Sequence, residues 1–397
     1  MSLSRCFQQF ALACLFSLLT ASLSAQVPEN VHRRSDFTNC RIRFERDKVG
    51  HVAFMGGSIT EMNGYRPMVC EYLQQRFPET KFAFTDAGIA STCSTTGAMR
   101  LTNDVLSKGP VDLFFVEFAV NDDQDAAHAA RECLRGMEGI LRHARLHNPQ
   151  MDIVVTDFVN EGMLELLQQG TMPLSMEQHE RAAAHYGVTT SLHAREVAEQ
   201  ITAGKLTWKD YGGVHPAPRG NAIAAGLIRD LLNDCWKNPL AAGDMPHDYG
   251  LPAPLDPYSY FQGRFLTSEI QLTGGSVRET PDWKNLAGQC RGRFVNEQMI
   301  CATHPGDGIT VKFSGMAIGA YILAGPDAGI AEVSIDGGEF RKVDLYHRFS
   351  KGLHYPRTVM FATDLSEGDH TLVLRMSAEH AAESQGTALR ALQIVAN

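Results

Sequence analysis

The stretch His51–Thr60, HVAFMGGSIT, carries an apolar run into two glycines and then a serine. A serine there is either a helix N-cap or a nucleophile presented to a substrate. Gly56 and Gly57 let a ligand come close to the main chain. A helix opening at Ser58 also sets the Ser58 N–H where negative charge is favoured. Three later stretches hold what a hydroxyl nucleophile needs. DAGIAST puts Gly88 after a second apolar run, VEFAVNDD puts Asn121 after a third, and DYGGVHP puts His215 before a last helix. Ester cleavage by serine requires a base for its proton and donors aimed at the developing oxyanion. An imidazole, a side-chain amide and main-chain N–H groups answer that requirement. Singly, each stretch also has a plain structural reading, as a cap, an Asn-Asp turn, a His-Pro turn or a glycine closing a strand. In combination at strand ends they read as one site.

The elements that must position these residues follow from the hydrophobic pattern. From His51 to about Trp236, strand candidates at Val52–Met55, Phe82–Asp86, Leu113–Glu117, Ile153–Asp157 and Val188–Ser191 alternate with amphipathic stretches. The clearest helix runs from Asp125 to His147, with Cys133, Met137, Ile140, Leu141 and Ala144 on one face and Asn148–Pro149 closing it. Such alternation predicts an α/β fold, a parallel sheet covered by helices on both faces. Its reactive loops gather beyond the carboxyl ends of the strands, where Ser58 falls. The Pro/Gly-rich segment 238–257 lacks periodicity and reads as a linker. After it the pattern changes to short alternating strands: VSIDGGEFRKVDLY as a hairpin turning at Asp336–Gly338, then HTLVLRM and ALQIV. The chain therefore divides into a leader (1–25), a catalytic domain (26–237), the linker (238–257) and an all-β sandwich (258–397).

In order and spacing, FMGGSIT, STTGAMRL, VEFAVND and GGVHP resemble the SGNH hydrolases, the GDSL-like esterase superfamily. GGSIT matches that family's first block, Gly88 its second, VND its third in place of G-x-N-D, and VHP its fifth, over roughly Val49 to Leu232. The chain looks most like the exported carbohydrate O-acetylesterase branch. The resemblance implies an SGNH/flavodoxin-like three-layer fold, Ser58 as nucleophile and His215 as base. It implies an oxyanion hole from the Ser58 and Gly88 N–H groups and the Asn121 amide, an acetylated carbohydrate as substrate, and neither cofactor nor metal. One departure stands out. The family's last block is D-x-x-H, and the aspartate's place is taken here by Gly212. Asp210, two residues earlier, is the expected third member of a triad. The alternatives are a Ser–His dyad oriented by a backbone carbonyl, or a carboxylate from elsewhere. The C-terminal part resembles jelly-roll modules of polysaccharide-active enzymes, and Tyr346, Tyr355 and Trp283 are either sugar-stacking surfaces or core and interface residues. Two other functions fit the same residues: a lipid or short-chain acyl esterase, and a glycan-binding protein with a degenerate hydrolase domain.

Composition narrows the rest. With 44% apolar and 20% charged residues and a net charge of −9, the 397-residue chain has no basic patch for nucleic acid or an anionic membrane. Arg5, the apolar run Phe10–Leu19 and ASLSAQ form a secretory leader cut near Ala25. The run falls short of the roughly 20 residues a membrane span needs, so the mature protein is expected to be secreted or periplasmic and off the membrane. Loss of the leader leaves seven cysteines, an odd number. Cys290 and Cys301, near neighbours in an exported chain, are the expected disulfide. No CxxC pair supports zinc. HERAAAH (His179–His185) has Ala183 where the zinc-protease helix needs its second histidine, and His143 and His147 lie beside Arg142 and Arg145. Phosphate-loop and dinucleotide motifs are absent, and oligomeric state is not readable.

Overall fold

Side-chain alternation along the strand Val49–Gly56 sets the layers. Ala53 and Met55 face one side of the sheet, Val52 and Phe54 the other, and all four are fully buried. In the computed structural model, which describes residues 30–267 and 270–397, this strand sits inside a six-stranded sheet. The strands are β1 (Val31–His32), β2 (Val49–Gly56), β3 (Lys81–Gly88), β4 (Leu113–Glu117), β5 (Asp152–Thr156) and β6 (Thr189–Ser191), in the order β1-β6-β5-β4-β2-β3. All neighbours run parallel except β1, an antiparallel edge strand too short to show in the sequence pattern. The helices are α1 (Thr38–Arg41), α2 (Ser58–Glu61), α3 (Tyr65–Arg76), α4 (Ser94–Asp104), α5 (Ala130–His147), α6 (Glu161–Gln168), α7 (Leu174–His185), α8 (His193–Thr202), α9 (Trp208–Tyr211) and α10 (Pro218–Cys235). One core joins the sheet to α4, α5 and α7, the other joins it to α3, α8 and α10. The predicted three-layer α/β architecture is therefore present. Helix α5 starts five residues later than expected, because Asn121–Asp125 forms a π turn and Ala127 turns left-handed at φ 48°.

The chain goes from β2 outward to β3, then crosses to β4 on the other flank of β2. The carboxyl end of β2 is thus a topological switch point, where the loops on either side diverge and leave a crevice. Ser58 lies two residues beyond it.

After α10, the chain runs without helix or strand until Arg264, yet this segment is strapped to the first domain. Glu138, buried on α5, accepts the N–H groups of Leu255 and Asp256 and the Ser259 hydroxyl. Arg135, beside it, reaches both Asp256 and Asp364. The C-terminal half is all antiparallel. One sheet holds β7 (Arg264–Phe265), β9 (Val277–Glu279), β10 (Met299–Ala302), β12 (Ile318–Ala324), β15 (Tyr355–Ala362) and β17 (Leu389–Ala396). The other holds β8 (Ile270–Thr273), β11 (Gly308–Ser314), β13 (Ile330–Ile335), β14 (Arg341–Asp344) and β16 (Asp369–Met376). Their facing sides close on one apolar core that includes Ile300, Ile322, Leu372 and Leu374. The β13–β14 hairpin turns where the sequence indicates, with Asp336 and Gly337 at φ 53° and 75°.

One expectation is not met. The Cys290–Cys301 disulfide is not formed: all seven described cysteines are free thiols. Cys301 points into the core shared by the two domains, and each thiol rests on a neighbouring carbonyl, Met299 O for Cys301 and Arg291 O for Cys290. Of the two readings of Tyr355, the interface one holds. The residue is 3% exposed, stacked on His347, with its hydroxyl donating to Ser91 O. The leader lies outside the described residues. Among those described, no helix is long and apolar enough to cross a membrane.

Candidate active site

Ser58 opens α2, the first helical residue after β2, and its Oγ lies 2.8 Å from His215 Nε2. These two residues, 157 apart in the chain, meet because β2 delivers one and the α9–α10 loop the other to the same sheet edge. Ser58 is half-buried and His215 exposed, so the hydroxyl faces an open rim with the imidazole over it.

The GG pair before Ser58 is forced by close approach. A Cβ at Gly57 would lie 2.0 Å from Asn121 Oδ1, so the side-chain amide sits directly against the nucleophile's own turn. Asn121 is 2% exposed, its Nδ2 donates to Asp125 Oδ2 at 2.5 Å, and its Oδ1 accepts nothing. An amide nitrogen carries two hydrogens, so one remains for a ligand. Gly88 closes β3 and packs against the backbone of Thr60 and Glu61, while its N–H donates to Asp86 Oδ1 at 3.0 Å. Ser58, Gly88, Asn121 and His215 are thus assembled at one edge, with the Gly88 donor already engaged.

Asp210 is not brought to the imidazole. Its carboxylate accepts the Thr207 hydroxyl at 2.7 Å, part of the cap of α9, and no hydrogen bond joins it to His215. Gly212, where the family's aspartate would stand, explains the departure. It has φ 107°, and a Cβ there would lie 2.1 Å from Ala217 N. This tight turn, closed by Ala217 N–H to Tyr211 O at 2.7 Å, admits only glycine. Asn221 fixes the loop from below, donating to Pro216 O and accepting from Tyr65 N.

Several contributing residues carry no motif. Asp125, on the turn after β4, faces His215 electrostatically. Burial pushes its carboxyl up, and Asn121, Arg348 and His215 pull it back down. Glu117 ends β4 beneath the Ser58 turn, fully buried and hydrogen-bonded by Thr60 Oγ1, with Oε1 unpartnered. Burial raises its pKa to about 7, against the hydrogen bonds from Thr60 and the Gly57 N–H. Arg100, wholly buried on α4, donates to Gly56 O and Ala87 O and so ties the ends of β2 and β3 together.

The β domain also reaches this rim. Arg293 pairs with Glu61 at 2.6 Å and donates to Gly88 O at 3.0 Å. Arg291 holds Ala90 O and Ser91 Oγ, and the His347 Nε2 lies 2.8 Å from Asp125 O. The turns carrying Gly88 and Asn121 are therefore braced from the second domain, through residues that only tertiary packing identifies.

Residues 54–223 match the family model of the GDSL-like lipase/acylhydrolase family, and that segment bears Ser58, Gly88, Asn121 and His215. No curated protein matches the chain. Among solved structures, a two-domain esterase (CEX) active on acetylated mannans, co-crystallized with mannopentaose, is similar with a TM-score of 0.70 and 22% identity over 90% of this chain and 95% of that one. The same esterase without that ligand in its description aligns with a TM-score of 0.66 and 22% identity over 92% and 97%. At this identity the likeness is one of fold, and it extends across both domains.

Proposed function

We propose that this protein is a serine esterase that removes O-acetyl groups from a carbohydrate, with Ser58 and His215 as its reacting pair. The observation carrying this reading is the 2.8 Å contact between Ser58 Oγ and His215 Nε2, at a sheet switch point and inside a GDSL-like domain. Ser58 Oγ attacks the acetyl carbonyl as its proton passes to His215 Nε2. The oxyanion forms against the Ser58 N–H and the free Asn121 amide hydrogen, each such donor contributing about 10²–10³ in kcat. The imidazolium then protonates the departing sugar oxygen. Water, deprotonated by His215, cleaves the acetyl-serine and releases acetate. Gly88 joins the oxyanion hole if its N–H leaves Asp86. With Gly212 excluding the family's aspartate, the pair acts as a dyad, and the Asp125 charge stabilises the imidazolium formed in the transition state.

Likeness in fold to an esterase active on acetylated mannans supports acetylated polysaccharide as the substrate class. It also supports a division into a catalytic domain (26–237), a connecting strap (238–257) and an accessory sandwich (258–397). The leader read in the sequence supports export. The test is hydrolysis of aryl acetates and acetate release from acetylated mannan and xylan, by the parent and Ser58→Ala. Activity should be lost in Ser58→Ala with the fold intact, and should fall steeply from acetyl to octanoyl esters. Retained activity in Ser58→Ala, or a preference for long acyl chains, overturns the reading.

A further inference from the structure

Beneath the Asn121 turn lies a set of ligand-type side chains that ester cleavage does not use. Cys93, just before α4, and Asp122 and His128, on the turn after β4, present a sulfur, a carboxylate oxygen and a ring nitrogen all within 4.8 Å of one another. Nothing in the sequence announces the group, because its members sit on two separate loops at no zinc-motif spacing.

The members already have partners: His128 faces Asp122 as an ion pair when protonated, and the Cys93 thiol lies 3.8 Å from Thr96 Oγ1. His128 Nδ1 is buried without a hydrogen-bond partner, 3.5 Å from Asp122 Oδ1. That separation is long for a hydrogen bond. It fits two atoms sharing a tetrahedral ion, because bonds of about 2.0–2.2 Å put ligand atoms roughly 3.3–3.5 Å apart. Cys93 is a free thiol, 5% exposed. Asp122 is wholly buried, its oxygens fixed by Ser94 N–H at 2.8 Å, Ser94 Oγ at 2.6 Å and His179 Nε2 at 2.8 Å. Support of a ligating carboxylate by such hydrogen bonds is what orients a metal ligand. His179, which fails as part of a zinc-protease helix, thus anchors the carboxylate instead.

We propose that Cys93, Asp122 and His128 bind one zinc-type divalent cation. Thiolate with imidazole selects zinc over magnesium or calcium, which take oxygen ligands. Binding releases to solvent both the Cys93 thiol proton and the ring proton that pairs His128 with Asp122. A thiolate and a carboxylate then balance the two positive charges, leaving the buried site neutral. The ion would clip the loop before α4 to the turn that carries Asn121, and its open fourth position would take water.

The full-length protein, stripped with a chelator, is titrated with Co²⁺ and separately with Zn²⁺. Expected are one equivalent of Co²⁺ with a thiolate-to-cobalt charge-transfer band, displacement of that band by Zn²⁺, and a higher melting temperature with Zn²⁺. Cys93→Ser should lose the band, and His128→Ala should weaken binding at least tenfold, each with an unchanged circular dichroism spectrum. Cys133→Ser, which removes a thiol lying against His128 O, should keep the band. Ser58→Ala should bind like the parent, so failure of the esterase reading would leave this result standing. Absence of one-equivalent binding, or binding indifferent to Cys93 and His128, or a band that follows Cys133, overturns the proposal.

Discussion

Gly57→Ala tests the site without touching a reacting group. Gly57 has φ −85° and ψ −144°, and the clearest cost of a side chain there is one of space. The added methyl would lie 2.0 Å from Asn121 Oδ1 and 2.6 Å from its Cγ. Asn121 has no easy retreat, being 2% exposed and bonded to Asp125 at 2.5 Å. Relief of such overpacking costs about 1–3 kcal/mol, tolerable against a folding stability of roughly 5–15 kcal/mol. The displaced amide no longer meets the oxyanion, and loss of one such donor lowers kcat by about 10²–10³. The assay is aryl acetate turnover, with kcat and KM resolved and a thermal melt run alongside. We expect kcat to fall by that factor while KM changes little. The effect should act through Asn121, so Gly57→Ala in an Asn121→Ala background should cost far less than in the parent, a strong non-additivity. A folded Gly57→Ala enzyme within tenfold of parental kcat, or two effects that simply add, would refute the reasoning.

Other consequences follow from the same coordinates. Glu117 rises from 4.5 to about 7 on burial, so the folded state holds a proton that the unfolded chain has lost. Its contribution is intact below pH 4.5 and declines by about 3 kcal/mol as pH rises to 7. Glu117→Gln should flatten that slope in urea denaturation, and parallel curves for parent and variant would discount it. Arg135, 3% exposed, serves Asp256 and Asp364 together. Arg135→Ala leaves both carboxylates to Arg131 alone and should cost about 1.5–3 kcal/mol, whereas a loss under about 1 kcal/mol would show the pairing to be dispensable. Gly212→Asp restores the family's D-x-x-H spelling but meets Ala217 N at 2.1 Å. It should lower the melting temperature and bring no gain in kcat, and a faster, equally stable variant would show that the loop can accept the triad.

The pattern of residues along the chain determined the kinds of elements and their order. Apolar runs ending in glycine marked strand ends, 3.6-residue periodicity marked helices such as α5, and the change of pattern after the strap marked the second domain. Those signals are local, carried by residues a few positions apart. The same locality made Ser58, Gly88, Asn121 and His215 visible, since each sits where a strand or turn stops. Packing between distant segments decided what surrounds them. Asp125 faces His215 across 90 positions, Arg293 crosses from the sandwich to Gly88, and Cys93 meets His128 between loops. Gly212 shows both sides: its identity was plain in the sequence, but only the backbone, at φ 107° with Ala217 against it, revealed why no aspartate stands there. Periodicity reports which face a residue takes, and which neighbour fills that face is settled only when the layers close.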